Sequence, residues 1–99
     1  MAKFTFKKAI HTGKYRSFAL DRTDIKLNKK EVGHISESKN DYKYNISFAI
    51  KKEKTKVDPA PFKWITLKKK ADSEPEARNF IKKNEEEIQK KYDLYQFED

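Results

Sequence analysis

Histidine, carboxylate and lysine are the side chains here with reactive chemistry to offer, because the 99-residue chain has no cysteine and two histidines, His11 and His34. Nucleophilic catalysis needs a Ser or Cys, a His and usually a carboxylate brought together, and neither histidine lies in a recognised nucleophile or histidine motif. Both read as surface or strand-edge residues. Asp24-Ile25-Lys26 and Asp41-Tyr42-Lys43 match the acidic-x-Lys tripeptide of metal-dependent nucleases, where the carboxylate holds a divalent ion and the lysine helps position the attacking water. In a chain with 24 Lys plus Arg such tripeptides arise by chance, and no convincing acidic partner lies upstream. Glu85-Glu86-Glu87 makes no better a cation site, since successive helical residues point about 100° apart; it reads as a solvated face. The cysteine and histidine counts also exclude disulfide frameworks and the usual zinc sites. The expectation is a protein with no catalytic residues, no metal and no cofactor.

What remains is charge and aromatic surface. The formal net charge is +8, and it is segregated: residues 1–71 hold 19 basic and 7 acidic side chains, residues 72–99 hold 5 and 9. Segregation suggests a binding face where net charge alone speaks mainly to solubility. Only Arg16, Arg22 and Arg78 are arginines. Arginine is the usual bidentate reader of guanine edges, whereas lysine meets phosphate as a mobile point charge, so a nucleic-acid contact is expected to be weakly sequence-specific. The candidate contacts are Lys51, Lys52, Lys54 and Lys56, then Lys63 and Trp64, then the run Lys68, Lys69, Lys70. Lysines attract phosphate, and an exposed Trp64 can stack on unpaired bases. Set against this, lysines also solubilise a protein and blunt edge strands, and aromatics also fill cores.

These residues need elements to position them. Lys3-Phe4-Thr5-Phe6-Lys7 alternates with the period of a half-buried strand. Residues 10–22 break the pattern, with Gly13 as a turn and Tyr15, Phe18 and Leu20 as apolar anchors in a loop or irregular strand. Residues 24–27 and 31–36 form a hairpin about the polar stretch 28–31, with a bulge at Gly33 to bring Val32 and Ile35 into phase. After a second polar turn over 36–41, Tyr42, Tyr44, Ile46, Phe48 and Ile50 share one face of a long strand. Residues 51–61 form a Lys-rich exposed loop containing Asp58-Pro59-Ala60-Pro61. The last strand, 62–68, is apolar on both faces, so one face needs a cover other than a helix.

Ser73-Glu74-Pro75-Glu76 supplies an N-cap hydroxyl, a proline in the first turn and a capping-box glutamate. The helix it opens runs to about residue 92, with Ala77, Phe80, Ile81, Asn84, Ile88 and Tyr92 on one stripe. Leu94, Tyr95 and Phe97 beyond it are too apolar for water without a reason; they cap the core or pair with a partner. The fold class is therefore α+β, an antiparallel sheet of four or five strands packed on one C-terminal helix. It forms a single domain with the sheet over about 3–70, the helix over about 74–92 and a short apolar tail, 93–99.

The long strand Ile46-Ser47-Phe48-Ala49-Ile50, the basic loop with a late proline, the strand Trp64-Ile65-Thr66-Leu67 and a helix entered through a serine together resemble the Whirly-type single-stranded-DNA-binding transcriptional coactivators, the positive-cofactor family. The resemblance implies a curved four-stranded antiparallel sheet before one helix, a dimer gripping melted DNA, and Lys63, Trp64 and Lys68 on the DNA face. The junction Asp72-Ser73-Glu74-Pro75-Glu76-Ala77-Arg78 is also similar to that of integrase arm-binding and ethylene-response-type domains, which read duplex grooves; the shortage of Arg speaks against that option.

The functional expectation is a non-catalytic basic module that binds nucleic acid, single-stranded in preference, with a possible homodimer. The alternative is a small inhibitor or adaptor, of the kind phages and other mobile elements encode, whose basic face occupies an acidic or nucleic-acid-binding site on a host protein. A scaffold or virion component that oligomerises through its tail and sheet edge is a third option. No apolar run approaches the roughly 20 residues of a membrane span, no signal peptide is evident, and the expected compartment is the cytoplasm.

Overall fold

Alternation of apolar and polar residues builds the sheet. The computed structural model describes residues 3–8, 22–38 and 41–97. Within them β1 Phe4–Lys8, β2 Arg22–Leu27, β3 Lys30–Glu37, β4 Tyr44–Lys51 and β5 Phe62–Thr66 precede two helices, α1 Glu74–Lys83 and α2 Glu85–Lys91. The strands pair antiparallel in chain order. On one face of the sheet, Phe4, Ile25, Ile35, Ile46 and Phe48 pack with Ala77, Ile81 and Ile88 of the helices in one apolar core. The architecture is α+β, as expected. His11 and the expected irregular segment at 10–21 lie outside the described residues, while Arg22 opens β2.

The β2–β3 hairpin closes through Asn28 and Lys29, both with positive φ (54° and 68°), the conformation that a two-residue turn requires to match strand twist. The expected bulge is present: register shifts between Ile25 and Lys26, where Ile25 faces Gly33 and Lys26 faces Glu31, leaving Val32 as the extra residue. Gly33 is required for a different reason, because a Cβ there would run into the Ser47 carbonyl oxygen and the Phe48 ring edge. Gly33→Ala is expected to cost about 2 kcal/mol by overpacking, read as a lowered urea midpoint; an unchanged midpoint would show that β3 and β4 can part without penalty.

Four expectations need correction. Tyr42 does not share the β4 face: it is 76% exposed, because it takes φ 57° in the turn where Ser38 N–H donates to the Lys43 carbonyl. The last strand stops at Thr66 rather than 68. Leu67 still donates to Ile46, but residues 68–70 swing outward before Ala71 exchanges hydrogen bonds with Tyr44. The single helix is two, parted at Asn84 (φ −107°, ψ 20°), whose side-chain amide turns back to donate to the Phe80 carbonyl at 2.8 Å; such side-chain competition for backbone groups weakens Asn inside helices. At the other end the cap is as expected, Ser73 Oγ accepting from Glu76 N–H at 3.3 Å, although the Glu76 carboxylate accepts from Asp72 N–H rather than closing on Ser73.

Fourth, the acidic triplet is not uniformly solvated. Glu86 and Glu87 are exposed, but the Glu85 carboxylate accepts from Phe4 N–H at 2.7 Å and from Lys82 Nζ at 2.9 Å, while Lys82 Nζ also donates to the Phe4 carbonyl at 3.1 Å. The pair clips edge strand β1 to the helices. Burial pushes the Glu85 carboxyl up, but Lys82 and the Phe4 N–H outweigh it and hold it below its ordinary 4.5. A depressed carboxyl stabilises the fold above the unfolded value and loses that contribution as pH falls through the folded one. The stability gap between the native chain and Glu85→Gln is therefore expected to be constant at neutral pH and to shrink below pH 4.5; a gap that persists unchanged in acid would mean that the carboxylate charge is irrelevant to the clip.

Candidate nucleic-acid interface

Strand parity assigns the outer face, the one away from the helices. In β5, Phe62, Trp64 and Thr66 lie opposite Lys51, Ala49 and Ser47 of β4, whereas Ile65 lies opposite core residue Phe48. Successive strand residues point to opposite faces, so Phe62 and Trp64 face outward and Lys63 does not. In β3, His34 lies opposite Ser47 and is on the outer face too.

The cover that these rings need comes from the C-terminal tail. Because Val32 bulges, β3 pairs with β4 only up to Gly33–Phe48, and residues 49–51 of β4 are left open on that side. The tail fills the gap: Lys51 N–H donates to Asp93, Tyr95 N–H to Ala49 and Phe97 N–H to Glu31, at 2.8–2.9 Å. Leu94 drops into the core, 8% exposed. Tyr95 stacks on Phe62 at 5.0 Å between centroids, Phe97 stacks on Trp64 at 5.5 Å, and His34 meets Trp64 at 4.9 Å. The expectation of a core cap was half of the answer, since the tail caps the core and builds a five-ring surface on the opposite face. Trp64 remains 44% exposed at its centre.

Beside the rings lies a polar group centred on Arg22, whose guanidinium bridges Asp24 at 3.1 Å and Glu31 at 2.8 Å. Burial, helped by the Asp24 charge, outweighs the Arg22 hydrogen bond and raises the Glu31 carboxyl above its usual range. Burial and the neighbouring Arg22 charge lower the His34 imidazole, leaving it neutral at pH 7; its Nδ1 has no hydrogen-bond partner among the described residues. Asp24, the acid of one nuclease-like tripeptide, is occupied by Arg22, and Asp41, the acid of the other, by Lys70. Among the described residues no cluster of acidic and histidine side chains could hold a metal ion.

The nine residues expected at the site do not form one patch. Lys51, Lys52, Lys54 and Lys56 belong to the β4–β5 connection, where the Lys52 and Pro61 backbones bond and a turn closes between Thr55 and Asp58. Lys68, Lys69 and Lys70 follow the other end of β5, past Thr66. Three of the lysines are neutralised: Lys51 by Asp93 (3.5 Å), Lys52 by Asp58 (3.1 Å) and Lys70 by Asp41 (2.8 Å). The Lys70 hydrogen bond, with the Lys43 N–H, pulls Asp41 down to about 2. Lys54, Lys56, Lys63 and Lys68 are exposed and meet no carboxylate among the described residues. By register Lys51 shares the face of Trp64, while Lys63 points to the helix side.

No family model, curated protein or solved structure matches this chain.

Sequence reasoning missed His34, Phe62, Tyr95 and Phe97 as site residues. The available signal was the apolar tail together with the two-faced last strand, each lacking a partner that the other supplies.

Proposed function

We propose that this protein is a basic module that binds nucleic acid, preferring single strands, on the outer face of its sheet. The observation that carries the reading is Trp64: a large ring, 44% exposed, held from behind by His34 and Phe97 and flanked by the lysine-bearing β4–β5 hairpin. Fixed aromatic platforms stack on bases of any identity, and nearby lysines supply phosphate attraction. The mixed charge around Arg22, Asp24 and Glu31 makes the rings, rather than a uniform field, the source of the single-strand preference. Lys54 and Lys56, exposed and without a carboxylate partner among the described residues, serve as the phosphate contacts nearest the rings; Lys68 and Lys69 flank the far end.

Fluorescence anisotropy with labelled oligonucleotides tests the reading. With about four lysines engaged, log K should fall with log salt at a slope near −2.8 on single strands. No binding to single-stranded or duplex oligonucleotides below about 100 μM at low salt, weaker than ordinary non-specific affinity, would end it.

A further inference from the structure

The two edges of the sheet are treated differently. At β1, the Phe4 N–H and carbonyl are taken up by Glu85 and Lys82. At β5, Leu67 bonds to Ile46 and Lys52 to Pro61, so with the register of the pair it is residues 61, 63, 65 and 67 that bond to β4. Antiparallel pairing alternates these groups along a strand. The N–H and C=O groups of Phe62, Trp64 and Thr66 therefore point away from the sheet, and among the described residues no strand lies beyond them.

Along this open edge, on the helix side, runs a groove of about 570 Å³ between β5 and the helices, with Ile65, Leu67, Phe80, Ile88 and Tyr92 in its lining. Its rim is basic. Lys68, Lys69 and Lys91 border it against Glu87 alone, and Lys63 lies on the same face by register. Two of the ammonium groups rest over rings of the groove, Lys69 over Phe80 at 5.2 Å and Lys91 over Tyr92 at 5.5 Å.

We infer that β5 accepts an extended acidic segment of a partner protein as a sixth strand, with alternate apolar side chains in the groove and carboxylates on the lysine rim. Main-chain bonds give affinity in strand addition and alternate side-chain pockets give specificity. An extended chain pairs with the free groups of Phe62, Trp64 and Thr66, and the excess of lysine at the rim selects acidic side chains and opposes a second copy of this basic chain. The groove lies on the other face of β5 from the ring cluster, while its rim shares Lys68 and Lys69 with the far-end phosphate contacts, so the peptide is tested with no oligonucleotide present.

The probe is a fluorescein-labelled ten-residue peptide alternating valine and glutamate. Anisotropy should show saturable binding that a valine–lysine peptide does not reproduce, and amide exchange at Trp64 and Thr66 should slow when it binds. Thr66→Pro removes one outward N–H at a position where an edge strand tolerates proline, and should abolish the binding. Should that variant fail to fold, Lys69→Glu with Lys91→Glu alters only exposed side chains and should weaken the peptide by about tenfold through charge reversal at the rim. Equal binding of the lysine peptide, unprotected Trp64 and Thr66 amides, or full affinity in the folded variants overturns the inference. Protection of those amides by self-association or by an oligonucleotide would assign the edge to a second copy or to nucleic acid and overturn it as well.

Discussion

Ending the chain at Tyr92 is expected to lower the stability of the fold by at least about 3 kcal/mol, a large share of what a domain this size possesses. The truncation takes Leu94 out of the core, and burying a leucine is worth about 2–5 kcal/mol when cavity formation is included. It also strips the backbone bonds from Asp93, Tyr95 and Phe97 to β4 and β3, each worth about 0.5–1.5 kcal/mol net. Urea denaturation of the truncated chain should show a lower midpoint, and Trp64 fluorescence should shift to the red because Phe97 no longer covers one ring face. A truncated chain with the native midpoint and emission would mean that the tail rests on a sheet already complete without it.

Trp64→Ala is expected to weaken single-stranded oligonucleotide binding by tenfold or more, since base–aromatic stacking is worth about 1–3 kcal/mol per base on alanine substitution. Duplex binding, governed by phosphate contact, should change little. The loss separates from a folding defect because Trp64→Phe keeps an aromatic face and should restore most of the affinity, whereas Trp64→Leu keeps an apolar side chain without a stacking face and should not. Equal single-strand affinity in Trp64→Leu and the native chain would remove the ring cluster from the proposed function and leave the lysines as an unselective cationic surface.

These two experiments probe one construction, and its parts were unequally visible in the sequence. The β4 alternation from Tyr44 to Ile50, the hairpin after Leu27, a bulge beside Gly33 and the Ser73 cap are local: each depends on side chains a few residues apart, where strand period, turn conformation and capping hydrogen bonds are set by neighbours. Even there, Tyr42 and the C-terminal end of β5 differ from the expectation, because a turn that closes with a positive φ and a strand that leaves its partner after Thr66 leave no mark in an apolar pattern. Trp64 could be named as a stacking candidate, and the lysines as phosphate contacts, from residue type alone.

Which face those residues share was decided only by the tertiary structure. The bulge at Val32 opens a gap beside β4, and a segment more than forty positions later in the chain fills it, so Phe97 reaches Trp64 and Leu94 reaches the core. Likewise Glu85, indistinguishable from Glu86 and Glu87 as a residue type, clips Phe4 from the opposite end of the chain. The amino-acid order settled the α+β class, the helix start and the excess of lysine over arginine, because those follow from composition and short-range stereochemistry. The five-ring surface, the neutralised lysines and the open β5 edge depend on pairing between distant segments, which periodicity along the chain does not encode.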